Sequence, residues 1–381
     1  MKKKIVVISI IIAILIIFIF CAIYIKSNYK KQKDGETDIV QNIEKEEVNI
    51  ENEKDEKVDE EIQKFEWKHD TAENHNMNNE KLENFYKEIG NHTDIYGALV
   101  IKDDNIIGEY YKEGYNQDSI FTLQSCSKSV TSSLIGIAID KGYIRDVNVP
   151  ISEYFPEILE SNNQNLKEIT IWHLLTHTSG LNMNDTNNWN EWRTSENWVD
   201  YILSRGSKSK PGTRFDYSTG NSHLLSVILQ KATGMTAYDF GKKYLFEPLG
   251  MESVKCELDP QGYSDGGNGF SMNIYDMAKF GRLFLNKGEW EGKQIISQNW
   301  IQESTKVQFD RKAGSANYGY QWWIRTFGSQ KYDTYFAQGH WGQFIFVIPE
   351  INLMVVFTSH HEGSTNMYWN FVNEVVSAYE G

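Results

Sequence analysis

Residues 123–130 read LQSCSKSV, with Ser125 three places before Lys128. They open a segment, 127–141, whose apolar residues recur at helical spacing and which Gly142 closes. A helix beginning near Cys126 sets Ser125 at its amino end, where free N–H groups and the positive end of the dipole favour developing negative charge. It also places Ser125 and Lys128 on one face, with about 5–6 Å between their β-carbons. A serine hydroxyl is a poor nucleophile until a base takes its proton, and a lysine can do so only if burial or neighbours lower its pKa. Ser127, Ser129, Thr131 and Ser132 are small and uncharged, so no adjacent carboxylate holds the lysine proton. Alone, Ser-x-x-Lys more often means a capping serine and an exposed lysine. A reactive reading needs partners from elsewhere in the chain.

Two segments offer them. Residues 211–234 read PGTRFDYSTGNSHLLSVILQKATG. Here Tyr217 falls on the loop leading to a helix over His223–Thr233, with Asn221 and Ser222 as capping residues and Gly234 as its stop. A phenol there relays protons if a nearby cation, Lys128, stabilises its anion; the bland alternative is a buried aromatic with a satisfied hydroxyl. The second segment, Gly339-His340-Trp341-Gly342-Gln343, lies just before a strand. Glycine at 342 lets a substrate backbone approach the strand edge. The N–H of Gln343 then joins that of Ser125 around a carbonyl oxygen becoming an oxyanion, each donor contributing about 3–4 kcal/mol. The alternative is an ordinary glycine-bearing turn.

Around these motifs the pattern is α+β. Tyr96–Ile101 and Ile106–Tyr111 are apolar runs joined by Asp103-Asp104-Asn105, a hairpin signature. Lys331–Ala337, Gln343–Ile348 and Ile351–Ser359 read as strands, with Pro349-Glu350 between the last two, and a helix follows over 365–379. Strands at both ends with helices between predict one sheet closed by the two ends of the body, with a helical insertion.

The amino-terminal part differs. Residues 1–4 are basic, and 5–25 form an unbroken uncharged run of 21 residues. About 20 helical residues span a ~30 Å hydrocarbon core, so a single-pass anchor is expected, with the catalytic domain outside the cytoplasm. A cleaved signal peptide fits less well, since 17–24 lacks a small-x-small site. Residues 26–80 are rich in Lys, Glu, Asp and Asn without a sustained apolar period, and read as an acidic solvated stalk before a body at 81–381. Residues 34–83 carry 18 acids against six lysines. The body beyond is also acidic, which disfavours nucleic acid as a partner. Cys21, Cys126 and Cys256 are odd in number and widely spaced, so they make neither a disulfide framework nor a paired zinc site. His173 and His177 are one helical turn apart, but Leu174 stands where a metalloprotease needs glutamate, and a structural role is expected for both. Among the aromatics, Trp189, Trp192, Trp198, Tyr318, Tyr320, Trp322, Trp323 and Trp341 are candidates for an acyl pocket, Trp341 first.

Together, Ser125-x-x-Lys128, LKEITIWHLLTHTSGL at 166–181, Phe215-Asp216-Tyr217-Ser218, FEPLGM at 246–251 and GHWGQ follow the order of one family. The body resembles the class C β-lactamase and DD-peptidase superfamily of serine hydrolases, and within it the esterase and 6-aminohexanoate-dimer hydrolase branch. The resemblance implies an antiparallel sheet flanked by amino- and carboxy-terminal helices beside a mainly helical domain, with the site between them. It implies Ser125 as acylated nucleophile, Lys128 and Tyr217 as a proton-handling unit, and no metal or other cofactor. Residues at the third motif, His340, Trp341 and Gly342, together with Thr219 in the place of a motif asparagine, would touch a small-molecule or peptide acyl substrate. Many relatives carry lysine in the place of His340, a permanent cation suited to a substrate carboxylate, whereas histidine is mostly neutral at pH 7. That departure and the one at Thr219 weaken a dedicated β-lactamase or D-alanyl carboxypeptidase reading and leave acyl transfer intact. Two functions follow: a membrane-tethered serine hydrolase, or a penicillin-binding, wall-sensing module with little turnover.

Overall fold

The computed structural model describes residues 65–183, 185–311 and 316–381. Its frame is an eight-stranded sheet built from both ends of the body. In chain order the strands are β1 (Lys68–His69), β2 (Ile95–Lys102), β3 (Asn105–Tyr111), β4 (Asn317–Tyr318), β5 (Trp323–Phe327), β6 (Tyr332–Gly339), β7 (Gln343–Ile348) and β8 (Leu353–Ser359). In space they run β1-β3-β2-β8-β7-β6-β5-β4. All neighbours are antiparallel except β1, which pairs parallel with β3 at the edge.

Period-two alternation assigns the two faces. Ala98 and Val100 of β2, Phe344 and Phe346 of β7, and Val355 and Phe357 of β8 share one cluster with the flanking helices α1 (Asn79–Gly90) and α7 (Asn366–Glu380). These helices supply Leu82, Phe85, Ile89, Phe371, Val372 and Val375. Leu99, Ile101, Ile345, Val347, Met354 and Val356 point the other way into the larger core of the helical body. Because both faces are covered, the central strands read as continuous apolar runs, and every residue of β7 and β8 is buried.

The helical part contributes α2 (Ser127–Asp140), α3 (Ile171–Leu175), α4 (Asp185–Arg193), α5 (Thr219–Thr233) and α6 (Ile274–Leu285). Helix α2 is buried along nearly its whole length and packs on α5. Helix α5 begins four residues before the expected start: Ser218 is its extended amino-terminal flank, and Gly234 at φ 75° ends it. The start moves because the carboxylate of Asp185 on α4 accepts the Thr219 N–H at 2.7 Å and caps the helix from outside, the negative charge matching the positive dipole end.

The expected stalk is corrected at its end. Residues 65–80 belong to the body: β1 joins the sheet, Trp67, Ala72 and Met77 are buried, and Phe65 packs edge-on to Trp67 and Trp290. His75 lies between the carboxylates of Asp70 at 3.1 Å and Asp103 at 3.2 Å. Isolated apolar anchors in a hydrophilic stretch make no period, so composition alone reads it as solvated. The expected anchor at 5–25 and stalk residues 26–64 lie outside the described residues. Among the described residues no helix is long and apolar enough to cross a membrane.

Candidate active site

Three elements meet where the helical body abuts the sheet. A short 3-10 turn, Gln124–Cys126, leads into α2, with Gln124 at φ 49°. The end of β6 passes directly over this turn: a β-carbon on Gly339 would collide with the Leu123 carbonyl, so the strand comes this near only because 339 is glycine. The start of α5, with Tyr217 just ahead of it, closes the third side. Between them opens a cavity of about 600 Å³ bordered by Ser125, Tyr217, Asp185, Asn268, His340 and Trp341.

Lys128 is 1% exposed, and its Nζ lies 3.0 Å from Ser125 Oγ. The amine also donates to Thr219 Oγ1 at 2.9 Å, the Gly267 carbonyl at 3.0 Å and Asn268 Oδ1 at 3.2 Å. An ammonium has three protons for these four oxygens; in the neutral amine the lone pair is free to turn to the Ser125 hydroxyl, and two N–H groups remain to be shared among the other three oxygens. Burial lowers the Lys128 pKa to about 8, although the negative charges of Asp185 and Asp265 pull it back upward. Neither carboxylate touches the amine: Asp185 reaches it through Thr219, whose Oγ1 donates to Asp185 Oδ2 at 2.6 Å. A direct ion pair would hold the proton on Lys128, whereas this relay leaves it titratable near neutrality.

Tyr217 stands over the amine, with Nζ 5.1 Å from its ring centroid. Burial pushes its phenol pKa up, and the Ser125 side chain beside it acts in the opposite direction. Its ring stacks on Trp323 at 5.7 Å, a second aromatic wall of the cavity. Asn268 sits on a turn shaped by the buried carboxylate of Asp265, whose Oδ1 accepts the N–H groups of Gly267 and Asn268 at 3.1 and 3.2 Å. The other oxygen of Asp265 pairs with Arg193, at the far end of the helix that begins with Asp185.

Ser125, Lys128, Tyr217, His340 and Trp341 therefore gather at one place. Three residues expected to face the substrate or its oxyanion do not fall on the cavity. Thr219 is buried beneath Lys128, so its hydroxyl serves the lysine and Asp185 rather than a substrate. Gly342, at φ 87°, faces inward: an added β-carbon would overlap the Ser359 and Tyr368 hydroxyls, so close packing requires this glycine. Gln343 is 3% exposed and borders no part of the cavity; its carbonyl accepts the Cys126 thiol at 3.3 Å. The residues of this motif that border the cavity with Ser125 are Gly339, His340 and Trp341. Trp341 is fixed there at φ 65° by its stack on His360 at 4.1 Å and by the His361 N–H, which donates to its carbonyl at 2.9 Å.

Of the candidate pocket aromatics, Trp189, Trp323 and Trp341 line the cavity, while Trp192, Trp198, Tyr318, Tyr320 and Trp322 are buried in the core. His173 Nδ1 accepts the Thr170 N–H at 3.0 Å and caps α3, and His177 is wholly buried, so each has a structural place. Asp185, Asn268, Gln124, Gln338 and Thr365 also border the cavity and were not anticipated. Asp185 and Asn268 lie in polar loop-like stretches, NMNDTNN and SDGGNG, whose only sequence signal is a turn.

A family model described as Beta-lactamase matches residues 82–370. The 6-aminohexanoate-dimer hydrolase of Paenarthrobacter ureafaciens is 24% identical over 294 residues, covering 71% of this chain and 74% of that one. Among solved structures, a class C beta lactamase from Rhodobacter sphaeroides superposes with a TM-score of 0.63 at 17% identity, covering 79% of this chain and 99% of that one. An octameric penicillin-binding protein homologue from Pyrococcus abyssi gives a TM-score of 0.61 at 20% identity, covering 78% and 77%. The family match spans most of the body and includes all the motifs gathered at the cavity, so this chain belongs to the beta-lactamase family and is a serine hydrolase.

Proposed function

We propose that the protein is a membrane-anchored hydrolase that forms an acyl-enzyme on Ser125 from an ester, amide or D-amino-acid peptide and releases it to water. One observation carries the reading: a buried amine with a pKa of about 8 lies 3.0 Å from a serine oxygen that opens on a cavity. At pH 7 roughly a tenth of Lys128 is then neutral, enough to accept a proton during attack. The Ser125 oxygen bonds to the substrate carbonyl carbon as its proton passes to Lys128. The carbonyl oxygen, now negative, rests on the Ser125 N–H and an N–H of the Gly339–Trp341 segment. The bond to the leaving group breaks, and Tyr217 delivers the proton that group needs, drawing on Lys128. Water then adds to the acyl carbon with the proton path reversed, returning the Ser125 hydroxyl and a free acid.

The cavity chemistry supports a neutral or amine-bearing acyl donor. Its aromatic walls, Trp189, Trp323 and Trp341, suit an apolar chain. Among the described residues its one carboxylate is Asp185, and no lysine or arginine borders it. The apolar run at 5–25 supports the anchor, with the hydrolase domain beyond the membrane. The test is turnover of p-nitrophenyl acetate by wild type and by Ser125→Ala. Loss of turnover in a variant with an unchanged melting temperature is expected; equal activity would reject the mechanism.

A further inference from the structure

His177 does not border the cavity and has no part in the acyl transfer above, yet it is wholly buried one layer behind it. Its backbone, at φ 54°, turns the chain after α3 toward the segment that carries Tyr217. Three contacts tie the two together. The His177 carbonyl accepts the Asp216 N–H at 2.8 Å. Its Nδ1 accepts the Ser218 N–H at 3.4 Å and lies 3.3 Å from Asn221 Nδ2. That amide is itself oriented, because Asn221 Oδ1 accepts the Ser179 hydroxyl at 2.9 Å. The imidazole ring then packs against the Tyr217 ring at 4.5 Å, with Tyr318 at 5.2 Å and Phe215 at 6.0 Å around it.

The residues held, 216, 218 and 221, bracket the phenol. A nitrogen that receives N–H donors must keep its lone pair, so the ring proton belongs on Nε2. Nε2 has no hydrogen-bond partner among the described residues, a cost the ring bears in exchange for the two donors held at Nδ1. Burial holds the imidazole pKa well below its ordinary value, and the Lys128 and Arg311 charges act the same way. A protonated ring would turn the Nδ1 acceptor into a donor facing two other donors.

We propose that His177 is the positioning residue for Tyr217: a neutral imidazole whose Nδ1 and carbonyl fix residues 216–221 and so aim the phenol at Ser125 and Lys128. This rests on the catalytic reading of Tyr217 given above. A misplacement of about 1 Å can cost on the order of a hundredfold in rate.

The test uses the full chain with two substitutions that suit a left-handed backbone. His177→Asn keeps an oxygen acceptor close to the position of Nδ1, and His177→Gly keeps none. Hydrogen exchange at the Ser218 amide and steady-state hydrolysis of p-nitrophenyl acetate are measured together. The glycine variant is expected to lose protection at Ser218 and to lose kcat by about tenfold to a hundredfold with KM little changed. The asparagine variant is expected to regain the protection and most of the kcat. Unchanged Ser218 protection in His177→Gly, or equal loss of kcat in both variants, would overturn the proposal. Tyr217→Phe serves as control: full activity there rejects the catalytic reading of Tyr217, while the exchange comparison still decides whether His177 fixes the segment.

Discussion

Lys128 is the residue on which charge and geometry converge. Its burial favours the neutral amine, and the carboxylates of Asp185 and Asp265 oppose that from a distance. In the proposed mechanism the neutral form accepts the Ser125 proton, so kcat/KM for an ester is expected to rise with pH and level off above about 8. Removing one opposing charge has a definite sign. In Asp185→Asn the ammonium loses a stabilising neighbour, its pKa falls further, and the rising limb moves to lower pH by about one unit. A limb that stays in place or moves up, measured as kcat/KM across pH 5 to 10, would separate Asp185 from the lysine. Tyr217→Phe keeps the ring that packs on His177 and Trp323 but removes the hydroxyl proposed to carry the proton. A fall in kcat of about a hundredfold or more is expected, and a wild-type kcat would exclude the phenol from proton transfer.

At the scale of elements, the site is a meeting of ends: the head of α2, the foot of β6, the approach to α5 and both termini of α4. Helix α4 links Asp185, which caps α5 and steadies Thr219, to Arg193, which pairs with Asp265 behind the turn holding Asn268. Its nine residues were not legible as a helix with a task, because DTNNWNEWR has no clear apolar face. The central strands were legible for the opposite reason, while the short β1, β4 and the edge-side β5 were not: β7 lies at Gln343–Ile348, the expected bounds, because both its faces are buried and its apolar run is unbroken. Ser125, Lys128 and Tyr217 became candidates through the family resemblance their motifs carry, not through residue type and spacing alone. The partners of Lys128 at Gly267 and Asn268 could not be found in this way, since they are 139 and 140 residues away and only the fold brings them near. Gly342 was read for substrate access and serves packing. With its positive φ and no room for a methyl group, Gly342→Ala is expected to destabilise the protein by about 1–3 kcal/mol in urea unfolding. Wild-type stability with altered KM alone would restore the substrate reading.

For the whole molecule, the sheet is closed by chain from both ends, and residues 65–78 are part of that closure. Phe65 and Trp67 pack on Trp290 and the helical body, with Arg282 over the Phe65 ring at 4.4 Å. A chain beginning at Asn79 is expected to melt several degrees below one beginning at Phe65, in differential scanning fluorimetry. Equal melting temperatures would return that stretch to a stalk. The same sheet carries β6 over the Ser125 turn. Central to all of this is a covalent bond between substrate and one hydroxyl. The most direct measurement is peptide mapping by mass spectrometry after acid quench during p-nitrophenyl acetate turnover. One acetyl group on the peptide containing Ser125, more of it in Tyr217→Phe and none in Ser125→Ala, is the expected result. Turnover with that peptide unmodified, or with the acetyl group on another residue, would contradict the account.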